Sequence, residues 1–146
     1  MTNDKVGASE ARYVSSEDGA LLCVFVPQLS SLSNGTFISR DQDSIQVGTF
    51  KYESPHLINR HKHNEFPRVA DRTQEFIFVL SGYLTARIFD DREILVCELT
   101  IPSGGGLLLL SGWHEFDIPE SCHFLETKTG PYMGAADKTV RERSKC

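Results

Sequence analysis

The chain reads as a single all-β domain, an antiparallel sandwich or barrel. Three observations carry that reading. Short apolar runs rich in Val, Ile, Leu and Phe recur along the sequence, each of strand length. Turn-forming Gly, Pro, Asp and Ser separate these runs at near-regular spacing. No long stretch carries the periodicity of an amphipathic helix. With 146 residues, 40% of them hydrophobic, the chain can bury one real core.

The elements follow in order. Residues 1–19 are polar and read as a flexible N-terminal segment, 20–134 as the β domain and 135–146 as a charged tail that can form a short helix. Residues 21–26 (LLCVFV) form a strand stopped by Pro27, and a Ser/Asn/Gly-rich connection follows. Residues 44–52 (SIQVGTFKY) alternate apolar and polar side chains, as a half-buried strand does. Residues 75–80 (EFIFVL) suit a strand buried on both faces, and Ser81-Gly82 turns it into its hairpin partner at 83–89. Asp90-Asp91 turns again into 93–101 (EILVCELTI). The PSGGG break precedes 107–110, then come 113–118 (WHEFDI) and 122–128 (CHFLETK). The three glycines at 104–106 lack the following Lys-Ser/Thr of a phosphate loop and read as a turn.

Composition excludes several classes. A net charge of -5 argues against a nucleic-acid partner, which calls for a basic surface. No apolar run approaches the roughly 20 residues that span a bilayer. The polar N-terminus lacks an apolar signal core, so a cytosolic protein is expected. Cys23, Cys97, Cys122 and Cys146 are widely spaced and form no C-x-x-C pair, which fits reduced thiols better than a disulfide framework or a cysteine-rich zinc site.

The chemistry concentrates in a few residues. In an extended segment side chains alternate faces, so His61 and His63 point the same way and Lys62 the other. Two imidazoles from one segment make a bidentate claw for a metal. Glu75 opens an apolar strand whose same-face partners Ile77 and Val79 are core residues, and a carboxylate facing inward needs a partner. His114 shares its face with Phe116 and Ile118. His61, His63, Glu75 and His114 together would offer three nitrogens and one oxygen, a set suited to Fe, Mn, Ni, Zn or Cu in the divalent state with positions left for substrate. Glu65 rivals Glu75 as the oxygen donor, because it continues the alternation of the two histidines. The plain alternative for RHKH is a solvated basic strand edge.

Three further residues are candidate substrate contacts. Arg87 would clamp an anion if it faces inward. Glu126 and Lys128 share a face with Phe124 on the last strand and could serve as acid/base equipment, or lie solvated on the outside. Arg68 and Arg72 could cover the mouth of the fold. His56 and His123 are assigned no role.

The order of these pieces resembles the cupin superfamily. His61-x-His63 and Glu75-x6-Gly82 match the two halves of its first motif, and Gly106, Gly112 and His114 echo its second. Eleven residues separate His63 from Glu75, so NEFPRVADRTQ loops out of the pattern. The ending LETKTGPYMGAADK resembles that of small single-domain bacterial cupins. The resemblance implies a jelly-roll β-barrel holding a divalent transition metal, and an enzyme acting on a small polar molecule. Isomerase, epimerase or lyase chemistry is one expectation and dioxygen chemistry the other. A non-catalytic module that captures a small ligand, or a barrel that has lost its metal, is the alternative. Exposed sheet edges further suggest a homodimer, with the strand at 21–26 as a candidate contact.

Overall fold

The computed structural model describes residues 10–142. Ten strands run in order: β1 (Arg12–Ser15), β2 (Leu21–Val26), β3 (Thr36–Phe37), β4 (Gly48–Thr49), β5 (Glu75–Ser81), β6 (Tyr83–Phe89), β7 (Leu95–Pro102), β8 (Gly106–Leu109), β9 (Trp113–Asp117) and β10 (His123–Lys128). They make three antiparallel sheets. One has five strands in the order β1-β2-β8-β5-β10, one has three in the order β7-β6-β9, and β3 and β4 form a small ribbon. None of the three closes into a barrel among the described residues. No helix among them is long and apolar enough to cross a membrane.

The two larger sheets share one core. Ile77, Val79, Leu107 and Leu109 face it from the five-stranded sheet, and Leu84, Ala86, Ile88, Leu99 and Ile101 from the three-stranded one. Each fully buried Leu or Ile contributes roughly 1.5–3 kcal/mol of hydrophobic stabilisation. The five-stranded sheet is also covered on its other face. There Val24, Val26 and Leu108 pack with Ile38, and with Leu29, Leu32, Ile45 and Val47 from the connection after β2. Burial on both faces explains why LLCVFV and GLLLL are continuous apolar runs rather than alternating ones.

The turn from β5 to β6 is tight, but the two strands are not the hairpin the sequence suggests: β5 lies between β8 and β10 and β6 between β7 and β9, so the turn carries the chain from one sheet to the other. Gly82 holds φ +74, and a Cβ there would lie 2.3 Å from the Ser121 carbonyl oxygen. Only glycine meets both demands. The next turn is closed by Asp90, whose carboxylate accepts from the backbone N–H groups of Arg92 and Ile94, both at 2.9 Å.

Three further sequence readings are revised. Residues 12–15, placed in the polar N-terminal segment, form β1, because Val14 inserts into the core opposite Cys23 while Tyr13 faces solvent. The strand read at 44–52 shrinks to Gly48–Thr49. Side chains take over part of its backbone bonding: the Ile45 N–H donates to Gln74 Oε1 and the Val47 N–H to the Ser39 hydroxyl. The strand at 21–26 lies inside its sheet between β1 and β8, so it offers no free edge to a second molecule. The edges of that sheet are β1 and β10. Cys23, Cys97 and Cys122 are free thiols, and burial first, then the nearby Cys97, pushes Cys23 up to about 12. Cys146 lies outside the described residues.

The connection covering the sheet is anchored by Asp43. Its side chain is 1% exposed and bonds Arg40 at 2.6 Å and the Arg40 backbone N–H at 2.8 Å. Burial raises its pKa, but the bonds from Arg40 outweigh burial and hold it below the ordinary 3.8. A carboxylate held low contributes stability above its unfolded pKa and loses it as pH falls through the folded value. Asp43→Asn is therefore expected to cost about 1–2 kcal/mol near neutral pH, after allowing for the partly exposed Arg40. In denaturant titrations the gap from wild type should close as pH falls below 3.8.

Candidate functional site

Strand pleating places the polar residues. On β5 the side chains of Glu75, Ile77 and Val79 share one face, and Ile77 and Val79 are fully buried. Glu75 is thus the polar end of an inward-facing row. On β9, His114 sits opposite Ile88 and Phe116 opposite Ala86, and both partners belong to the core. His114 therefore projects to the inside of the three-stranded sheet, at its rim. The two residues meet across the gap between sheets: His114 Nε2 lies 3.4 Å from Glu75 Oε2. Glu75 is mostly buried, with 17% of its side chain exposed, and His114 keeps 33%.

Strand β10 extends the cluster. Lys128 pairs directly with Glu75 across the ladder, as Glu126 does with Ile77 and Phe124 with Val79. This register puts Lys128, Glu126 and Phe124 on the face that carries Glu75. Lys128 Nζ lies 3.9 Å from Glu75, 3.5 Å from Glu126 and 4.0 Å from Asp137. The His114 ring is the largest influence holding the Glu75 carboxyl below the ordinary range. Burial opposes it, and Lys128 and Lys138 reinforce it. Lys128 is raised, first by the charge of Glu126.

Asp137 was not singled out from the sequence. It ends a 3-10 turn at Gly134–Asp137, where the tail was expected to form a short helix. The Thr73 hydroxyl donates to its carboxylate at 3.1 Å, and 15% of its side chain is exposed. The available signal was the GPYMGAADK ending, which carries Asp137 back to the start of β5. Further along, Arg141 lies over the Trp113 ring at 5.3 Å and reaches Glu93 at 3.4 Å. The described part of the tail, residues 135–142, thus packs on the domain through Asp137 and Arg141.

The other donors stand elsewhere. His61 and His63 lie in a segment without strand pairing, and every residue from 50 to 72 is exposed. Their ring centroids are 5.5 Å apart, and His61 Nδ1 is 2.9 Å from the Asn59 carbonyl oxygen. Glu65 is exposed on the same segment. Arg68 lies over the Phe66 ring at 5.8 Å, and Arg72 is 3.6 Å from Asp71. The structure therefore keeps the four candidate ligands in two separate pairs, His61 with His63 and Glu75 with His114. Among the described residues no three His, Cys, Asp or Glu side chains stand together as a metal site.

Arg87 is a correction. It faces away from the cluster, because its neighbours Ala86 and Ile88 take the core side of β6. Its guanidinium instead binds Glu98 at 2.7 Å, Asp117 at 2.9 Å and Glu115 at 3.2 Å. Bonds from Asp117 and Glu115, in that order, raise its pKa. An inward anion clamp at this position is ruled out by the pleat.

No family model, no curated protein and no solved structure matches the chain.

Replacing Arg87 tests its placement. Arg87→Gln leaves three carboxylates side by side on an outer face, so the melting temperature should drop at low ionic strength and recover with added salt. Ligand or metal uptake at the Glu75 cluster should not change. A loss of uptake in a variant of unaltered stability would return Arg87 to the site.

Proposed function

We propose that this chain is a cupin-type, metal-binding protein that acts on a small polar molecule at the Glu75–His114 centre. One observation carries the reading: two sheets each send one potential ligand, a carboxylate and an imidazole, to within 3.4 Å of each other at the rim of a shared apolar core. A mostly buried carboxylate needs partners, which Glu75 finds in His114 and Lys128, and a cluster of such titratable groups at a rim is where ligand sites tend to lie. The jelly-roll form of the fold belongs to the same proposal. It is supported by two antiparallel sheets packed face to face and by the H-x-H and E-x6-G patterns.

His114 and Glu75 would hold the ion at the rim, and His61 and His63 would join them only if their exposed segment is brought to that rim. When bound, a divalent transition metal supplies Lewis-acid stabilisation of negative charge on a substrate oxygen. The residues themselves do the rest. The Lys128 ammonium, on the same face, draws a carbonyl or carboxylate oxygen toward the centre. Asp137, fixed by Thr73, and Glu126 hold that ammonium in place. Without an ion, ionised Glu75 favours the proton on His114 Nε2; an ion held between Nε2 and Oε2 would take the place of that proton. This equipment suits proton transfer beside a carbonyl, as an isomerase, epimerase or lyase requires. A dioxygenase would need iron at the same centre.

The second reading is a non-catalytic module for a small polar ligand. It is favoured by the carboxylates gathered around Lys128, which can recognise a polar molecule without any ion.

Elemental analysis of purified protein, resupplied with each metal in turn, tests the first reading. Wild type should retain about one ion per chain, and Glu75→Gln and His114→Ala should each lose at least tenfold in affinity. A wild-type protein that takes up no metal under these conditions supports the module instead.

A further inference from the structure

Residues 50–72 are the feature of this chain that its own fold does not use. All 23 are exposed, yet the segment is not composed like a solvated loop. Leu57 is 83% exposed, Val69 93% and Phe66 63%. Ile58 joins them, while Phe50 keeps an edge-on contact with the Phe37 ring of β3 and Tyr52 stacks on His56. Large apolar side chains left in water over such a length mark a contact surface. The segment also differs from the rest of the chain in charge. It holds five Lys and Arg against three Asp and Glu, while the remaining residues hold 10 against 17.

Its two ends are pinned. The Lys51 backbone N–H donates to Asn34 Oδ1 at 2.7 Å. At the far end the Gln74 side-chain oxygen accepts from the Ser44 hydroxyl at 2.9 Å and from the Ile45 N–H at 3.1 Å. His61 is the middle residue, with eleven on either side. Eleven residues reach up to about 36 Å when extended. A domain of this size has a radius of gyration of about 14 Å, so the midpoint can cross to a neighbouring molecule.

We infer that residues 50–72 form an arm that seats on a second copy of this chain and brings His61 and His63 to the Glu75–His114 pair of that copy. The inference rests on the metal reading above for its second half and on the exposed apolar residues and the charge contrast for its first. A net-positive arm is attracted to a net-negative domain, and a second copy is a net-negative domain. Two-fold exchange of arms would join both pairs of half-sites at once. It would also cover the apolar side chains that a single chain leaves in water. The mismatch between a four-donor set in the sequence and two donors at the rim in one chain is then a property of the separated protomer.

Light scattering and mixed dimers test the two halves. Wild type should be a dimer at micromolar concentration, and Phe66→Asp/Val69→Asp, altered only at exposed positions, should be a folded monomer by circular dichroism. A monomeric wild type overturns the arm. For delivery, an arm variant (His61→Ala/His63→Ala) and a rim variant (His114→Ala) carry different affinity tags, are co-expressed and are purified as the mixed dimer. Cobalt(II) is the probe, read by its visible absorption and by elemental analysis. Neither variant alone should hold cobalt, and the mixed dimer should hold half the wild-type amount per chain, because one of its two sites has both halves intact. A mixed dimer without cobalt, beside a wild type that binds it, places the site within one chain and overturns delivery in trans. A wild type that binds no cobalt or other divalent metal overturns the metal reading and delivery with it, while the arm still stands or falls by light scattering.

Discussion

Side-chain alternation along three strands ties the polar centre of this molecule to its apolar core. The face that buries Ile77 and Val79 carries Glu75 at its end, and the face that places Phe116 against the core carries His114. The same holds for β10, where Phe124 leads to Glu126 and Lys128. A shift of one residue in any of these ladders would move the whole row to the opposite face. Apolar burial therefore sets the register, and the register sets the chemistry. The site needs no separate scaffold, because it is the polar rim of the surface that holds the two sheets together.

The electrostatics follow from that position. Glu75 is desolvated enough to need partners, and it finds His114 from one sheet and Lys128 from its own. Lys128 is shared with Glu126 and with Asp137 from the C-terminal turn, so the end of the chain stabilises the rim. On the outer face of the three-stranded sheet Arg87 meets three carboxylates in a separate cluster. The two clusters have similar composition and overlapping exposure, and lie on opposite faces of their sheets. Facing direction, more than residue type, distinguishes a candidate site from a solvated ion-pair group.

The β content was legible from the sequence because its signals are local. Runs such as EFIFVL and YLTARIF, and turns such as Ser81-Gly82, specify their structure within a few residues. The inward placement of Glu75 and His114 was legible for the same reason, through the core character of their i+2 neighbours. Three things were not. Val14 alone among short polar neighbours gave too weak a pattern to mark β1. Ladder bonding at 44–47 was replaced in part by the Ser39 and Gln74 side chains, which periodicity does not reveal. The facing of Arg87 could not be fixed while Thr85 and Phe89 left both faces open. The positions of His61 and His63 belong to a further class. Their alternation describes how two rings relate to each other, and it is silent on where the segment carrying them goes.

The contact between Glu75 and His114 is the central claim, and a double-mutant cycle measures it most directly. Unfolding free energies of wild type, Glu75→Gln, His114→Asn and the double variant give the coupling between the two side chains. The expected coupling is about 0.5–1.5 kcal/mol at neutral pH. Strictly additive effects at all pH values would mean that the two side chains do not meet, and would contradict a centre built from both sheets.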